Sequence, residues 1–176
     1  MADADVVHPF CLNQNEVHRD AIMVLITGLI LIFGLFGVSS SFMCVGYDYV
    51  LFLEAKTWVN AKLACEQDGG QLASITDRHL QVAIQDHLNE ELVGTAVKSV
   101  WMGLSDRAEE GTYIWEEGSE LLEGDFIFWA PHEPNNNDKK NDNGQDCGGL
   151  WRRYNWRWDD GYCHKVRPYL CQFSIC

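Results

Sequence analysis

Positive charge is scarce in this chain. Only 13 Lys and Arg stand against 26 Asp and Glu over 176 residues, a net charge of −13. That sign is wrong for gripping a phosphate backbone, so nucleic acid is not an expected partner. No cysteine sits in a CxxC pair, which removes the usual sign of a zinc or redox site. HExxH, GxSxG and GxxxxGK are all missing, and neither His132 nor His164 has a motif that would make it a base or a zinc ligand. Glu116 and Glu117 are adjacent, so on an extended segment they point apart, the wrong arrangement for flanking one glycosidic bond. Catalysis is therefore not expected. No internal repeat, heptad run or collagen-like triplet provides an oligomerisation segment. With 47% hydrophobic and 22% charged residues, the composition excludes long disorder and several membrane spans, and leaves one globular unit.

Cysteine, by contrast, is plentiful. Seven in so short a chain (11, 44, 65, 147, 163, 171 and 176) point to an oxidising compartment. The uncharged run from Ala21 to Val38, followed by Ser39, Ser40 and Ser41, offers a route there. As a signal peptide cleaved near Ser40 it would give a secreted protein with an even number of cysteines. As a signal-anchor, near the lower limit of about 17–25 residues for a membrane helix, it would give a single-pass type II protein anchored through 21–38. The secreted reading is preferred. Residues 1–45 are thus read as tail and hydrophobic segment, and residues 46–176 as the folded domain. Cys44 and Cys176 could form a third bridge or link two chains.

Along the domain, Tyr47 to Leu53 is apolar on alternate positions and beyond, as a strand buried at a seam would be. Thr57 is placed to cap a helix carrying Trp58, Ala61, Ala64 and Cys65 on one face, ended by Gly69-Gly70. Asp77 is placed to cap a second, in which Leu80, Ile84 and Leu88 recur every four residues before Gly94. Beyond Ser99 the helical period vanishes. Val100–Leu104, Tyr113–Trp115 and Phe126–Trp129 read as short strands between turns. The stretch from Pro131 to Gly149 has almost no apolar side chain and reads as a long loop, of a kind that a metal could order.

Three groups of side-chain oxygens fall in this half: Glu133-Pro134-Asn135, Gln145-Asp146 and Asp159-Asp160. A cis Glu133–Pro134 bond could turn both flanking side chains toward one point. The ordered set Trp58, Ala61, Cys65; Trp101-Met-Gly-Leu104; Glu133-Pro-Asn135; Cys147; Trp158-Asp-Asp160; Cys163; Cys171 resembles the C-type lectin domain over about residues 47–173. The resemblance implies an α+β fold with two helices, small antiparallel sheets and a long loop region that binds Ca²⁺ and often a sugar. It also implies bridges Cys65–Cys171 and Cys147–Cys163. Trp58, Ala61, Trp101, Met102, Gly103, Leu104, Trp115, Trp129 and Trp158 are read as core, which identifies a fold rather than a ligand.

Carried over by position, the family's principal Ca²⁺ ligands fall on Glu133, Asn135, Gln145, Asp159 and Asp160, which would also be the carbohydrate-binding residues. Ca²⁺ takes about 6–8 oxygens, so such a set leaves room for two sugar hydroxyls. Gln145 stands where the family usually has Glu, and Asp159 where it usually has Asn. The two changes cancel in charge. Asp106, Glu110 and Asp146, with Asn136 less securely, match an auxiliary Ca²⁺ site. Glu-Pro-Asn accompanies mannose-like sugars in the family, so mannose-like glycans or glycoproteins are the expected partners, in innate immune recognition. The exchanged Gln145/Asp159 pair keeps galactose open, and a Ca²⁺-independent lectin-like surface recognising protein, mineral or ice is the remaining alternative.

Overall fold

A computed structural model describes residues 46–137 and 144–175. The apolar run 21–38, Cys11, Cys44 and Cys176 lie outside the described residues, and with them the expectations of anchoring and of a third or intermolecular bridge. Among the described residues no helix is long and apolar enough to cross a membrane.

The elements in chain order are β1 (Gly46–Lys56), α1 (Trp58–Gln67), β2 (Gln71–Leu72), α2 (Arg78–Glu91), β3 (Ser99–Ser105), β4 (Ile114–Trp115), β5 (Cys147–Trp151), β6 (Arg157–Gly161) and β7 (Arg167–Ile175). Both helices start where their caps predict. Thr57 accepts from the Asn60 N–H at 3.4 Å, and Asp77 accepts from the N–H groups of His79 and Leu80 at 2.7 and 3.0 Å, satisfying donors that the first turn cannot. α1 ends as Gly69 takes a φ of 84°, the left-handed region that costs glycine nothing. The Gly70 N–H then returns to the Cys65 carbonyl at 2.8 Å.

The strands join as one sheet in the order β1-β7-β3-β5-β6, with β2 on β7 and β4 on β3. All pairings are antiparallel except β3 with β7, which meet in parallel at Trp101 and Tyr169. The expected α+β class with two helices and largely antiparallel strands is present, the strands joined in one sheet. Between α1 and the sheet lie Trp58, Trp101, Tyr169 and the Cys65–Cys171 bridge. A second cluster around Trp156, Trp158, Leu104 and Met102 takes the inner face of α2. Trp58 Nε1–H reaches the Met102 carbonyl at 2.8 Å and Trp158 Nε1–H the Gln81 Oε1 at 2.8 Å, so the buried rings keep their polar atoms satisfied. The Cys147–Cys163 bridge is also formed.

Two local expectations are corrected. Phe126–Trp129 makes no ladder beyond a single bridge from Trp129 to Trp158. Its rings stack around Trp158 instead, with Phe126 and Trp129 edge-on to it at 5.8 and 5.6 Å, so aromatic burial rather than strand pairing explains the apolar run. Trp129 is accordingly half-buried, whereas the other residues expected in the core are buried. Cys147, Gly148 and Gly149, expected in the loop, begin β5. A Cβ on Gly148 would sit 2.9 Å from the Leu104 carbonyl oxygen, so glycine here permits close strand approach rather than breaking the strand.

Candidate functional site

The Glu133–Pro134 bond is cis, and the segment around it folds back onto the end of β6. The anchor is Asp160, which is 1% exposed. Its carboxylate accepts from the Asn135 N–H at 3.1 and 3.0 Å and from the Asn136 N–H at 2.6 Å. Asn135 Nδ2–H donates to Glu133 Oε2 at 2.5 Å, setting an amide donor beside a carboxylate acceptor. Gln145 closes the ring. Its side-chain NH₂ donates to the Asp160 carbonyl at 2.9 Å, its Oε1 accepts from the Asn137 N–H at 3.0 Å, and its own N–H donates to Asn136 Oδ1 at 2.7 Å. Glu133, Asn135, Gln145 and Asp160 are thus brought into one network. Burial, the bond to Asp160 and repulsion from Asp160 and Asp159 push the Glu133 carboxyl up to about 8.

Asp159 is not part of that network. Adjacent strand residues face opposite sides of the sheet, and the Asp159 carboxylate faces Arg167, whose Nη1 lies 3.4 and 3.3 Å from its two oxygens. The Asp159 carboxyl is raised, by burial above all, with Arg167 opposing the rise.

A second acidic group sits beside the first. The Asp106 N–H donates to the Asp146 carbonyl at 3.1 Å, and the Gly111 N–H donates to Asp106 Oδ2 at 2.9 Å. Asp106 Oδ1 and Asp146 Oδ1 are buried with no hydrogen-bond partner. Burial raises the carboxyls of Asp106, Glu110 and Asp146, the charge of Asp106 adds to the rise at Glu110 and Asp146, and the charge of Asp160 contributes at all three. Buried acceptors without donors, in a field of like charge, are the environment a cation relieves. Among the described residues no three His, Cys, Asp or Glu side chains converge closely enough to hold a metal alone. The donors around Asp160 mix carboxylate, amide and backbone oxygen, all of which suit Ca²⁺.

Glu116 and Glu117 have separate partners, Lys62 at 2.6 Å for the first and the Ser74 and Ser119 hydroxyls for the second, so they do not act as a pair. His132 and His164 are exposed. The family model described as the lectin C-type domain matches residues 54–173. The chain belongs to the C-type lectin domain family. Members of this family are carbohydrate-binding proteins rather than enzymes. The mouse low affinity immunoglobulin epsilon Fc receptor is 33% identical over 69% of this chain, and the chain spans 33% of that receptor's length. The solved carbohydrate-recognition domain of mouse scavenger receptor C-type lectin superposes with a TM-score of 0.63 at 28% identity, covering 74% of this chain and 92% of that one. A calcium-independent type II antifreeze protein superposes with a TM-score of 0.59 at 26% identity, covering 73% and 88%.

Two C-type lectin positions escaped the sequence reading. Tyr162 O–H donates to the Asn137 carbonyl at 2.6 Å, pinning the loop to the turn after β6. Arg167 is the other. No motif marks it, because its partners, Trp101 on β3 and Asp159 on β6, reach it only once the strands lie side by side.

Proposed function

We propose that the domain binds carbohydrate in a calcium-dependent way and favours mannose-like sugars. Glu133, Asn135, Gln145 and Asp160 are the principal ligands, Asp159 is a further carboxylate outside the ring, and Asp106, Glu110 and Asp146 form an auxiliary site. The observation that carries this reading is the grip of Asp160 on the Asn135 and Asn136 N–H groups, which holds the Glu133 and Asn135 side chains beside Gln145. Calcium, when bound, supplies the charge on which two vicinal hydroxyls rest. A sugar hydroxyl both donates and accepts. Ionised Glu133 accepts a hydrogen bond from the hydroxyl while the Asn135 NH₂ donates to its oxygen, so the acid and amide that touch each other here match one hydroxyl each way. Galactose preference would need Gln145 and Asp159 to act as the opposing pair, and the engagement of Asp159 by Arg167 weighs against it. An extracellular setting, secreted or type II, accords with the two bridges.

A second reading, a surface that needs no metal, is supported by the calcium-independent antifreeze neighbour. A glycan array run with and without chelator separates the two. Calcium-dependent retention on mannose-terminated glycans, competed better by free mannose than by free galactose, is expected. Binding that survives EDTA sinks the calcium reading, and stronger competition by galactose sinks the specificity.

A further inference from the structure

The guanidinium of Arg167 occupies a slot cut into one face of the sheet. It lies 3.9 Å over the Trp101 ring centroid, close enough for a strong cation–π contact. Its room comes from two glycines. A Cβ on Gly149 would fall 2.5 Å from Arg167 Nη1, and one on Gly161 would fall 2.5 Å from Nη2 and 3.0 Å from Cζ. Gly149 pairs directly with Asp159 across β5 and β6, and Asp159 and Gly161, two apart on one strand, share a face. Three strands therefore contribute to a seat that holds one cation against one carboxylate. Asp159 is 8% exposed, so that carboxylate cannot turn to water for a replacement partner.

The fit is close where the two glycines meet the guanidinium and loose at the carboxylate. Contacts of 3.3–3.4 Å exceed the roughly 2.7–2.9 Å of a tight charge-assisted bond. A single nitrogen also serves both oxygens, where a bidentate pair would use two. Arg167 thus neutralises Asp159 without saturating it.

We propose that Arg167 is a positioning residue that sets the charge of the loop site, by holding Asp159 as an internal ion pair and withholding it from a cation bound near Asp160. The proposal rests on the calcium reading above. It means that two carboxylates, Glu133 and Asp160, face the principal ion at full strength, and that this chain binds Ca²⁺ more weakly than its three carboxylates suggest. Removing the guanidinium leaves the charge of a third uncompensated beside the site.

The test is Ca²⁺ titration by calorimetry, with Tb³⁺ luminescence as a second readout, on the unmutated chain, R167Q, D159N and R167Q/D159N. R167Q is expected to bind Ca²⁺ about tenfold more tightly, equivalent to about 1.4 kcal/mol. R167K, which keeps the charge, is expected to stay near the unmutated affinity. The gain of R167Q must disappear in the D159N background if Arg167 acts through Asp159. A gain that persists in R167Q/D159N relative to D159N means plain long-range repulsion and overturns the proposal, as does an unchanged or weakened R167Q. Should R167Q fail to fold because Asp159 is left without a partner, the neutral pair R167Q/D159N still decides, through the same comparison with D159N. Ca²⁺ binding by the unmutated chain without the R167Q effect sinks this proposal alone. No binding by the unmutated chain or any variant sinks the calcium reading together with it.

Discussion

Around the β1–β7 ribbon, Trp58, Trp101 and Tyr169 close over the Cys65–Cys171 bridge. At the far edge of the same sheet, the loop beside β6 hangs on the Asp160 carboxylate, next to Asp106 and Asp146 oxygens that have no donor. The first region is held by apolar burial and a covalent tie, which are indifferent to pH and calcium. The second collects carboxylates whose ionised forms repel one another, so its order depends on what neutralises them. One chain therefore combines a scaffold that should be stable alone with an edge that should respond to its solution.

The largest effect should come from breaking the scaffold. Replacing both Cys65 and Cys171 by Ala opens a span with a sequence separation of 106 and should cost about 4 kcal/mol. Denaturant unfolding should show the same loss in calcium and in EDTA. A loss that calcium rescues would mean that the two regions are not independent.

Asp160→Asn strikes the edge instead. It weakens the acceptor for two backbone N–H groups and should cost about 1–3 kcal/mol. It should also abolish the difference in Tm between millimolar calcium and EDTA, measured side by side with the unmutated chain.

Scaffold features were legible in the sequence because they are local. Thr57 and Asp77 announce their helices through side chains that act within one turn, and the bridge partners followed from the ordered family pattern. The candidate site was legible to the extent that Glu133, Asn135, Gln145 and Asp160 sit in recognisable short motifs. What was not legible depends on contacts across strands. Gly148 and Gly149 read as loop because they end a stretch with almost no apolar side chain, yet here Leu104 and Arg167 approach too closely for any Cβ. Phe126–Trp129 read as strand because an apolar run does not reveal whether its rings or its backbone find the partners. Arg167 was invisible because its role exists only once β3, β5, β6 and β7 lie side by side.

A smaller effect concerns pH. Glu133 is raised from 4.5 to about 8, chiefly by burial and then by Asp160. A carboxyl raised in the folded state contributes stability below its unfolded value, and that contribution is lost as pH rises through the folded one. Without calcium, stability should therefore fall between about pH 5 and 8. A cation needs the ionised form, so calcium affinity should climb over the same range with proton release, which calorimetry in buffers of different ionisation enthalpy detects. Flat affinity from pH 6 to 8 would place Glu133 outside the ion's reach.

The smallest effect expected is on sugar choice. Gln145→Glu with Asp159→Asn, tested by competition with free sugars, should leave mannose the better competitor, as in the unmutated chain. A switch from galactose to mannose would show that the exchanged pair, not Glu133 and Asn135, sets specificity.

The contrast between scaffold and edge is tested most directly by hydrogen exchange with peptide resolution, in calcium and in EDTA. Calcium should slow exchange in peptides carrying Asn135, Asn136 and Gln145, whose N–H groups donate within the loop network, and leave those from β1 and β7 unchanged. Equal exchange at the loop in both conditions, or protection spread evenly over the domain, would contradict it.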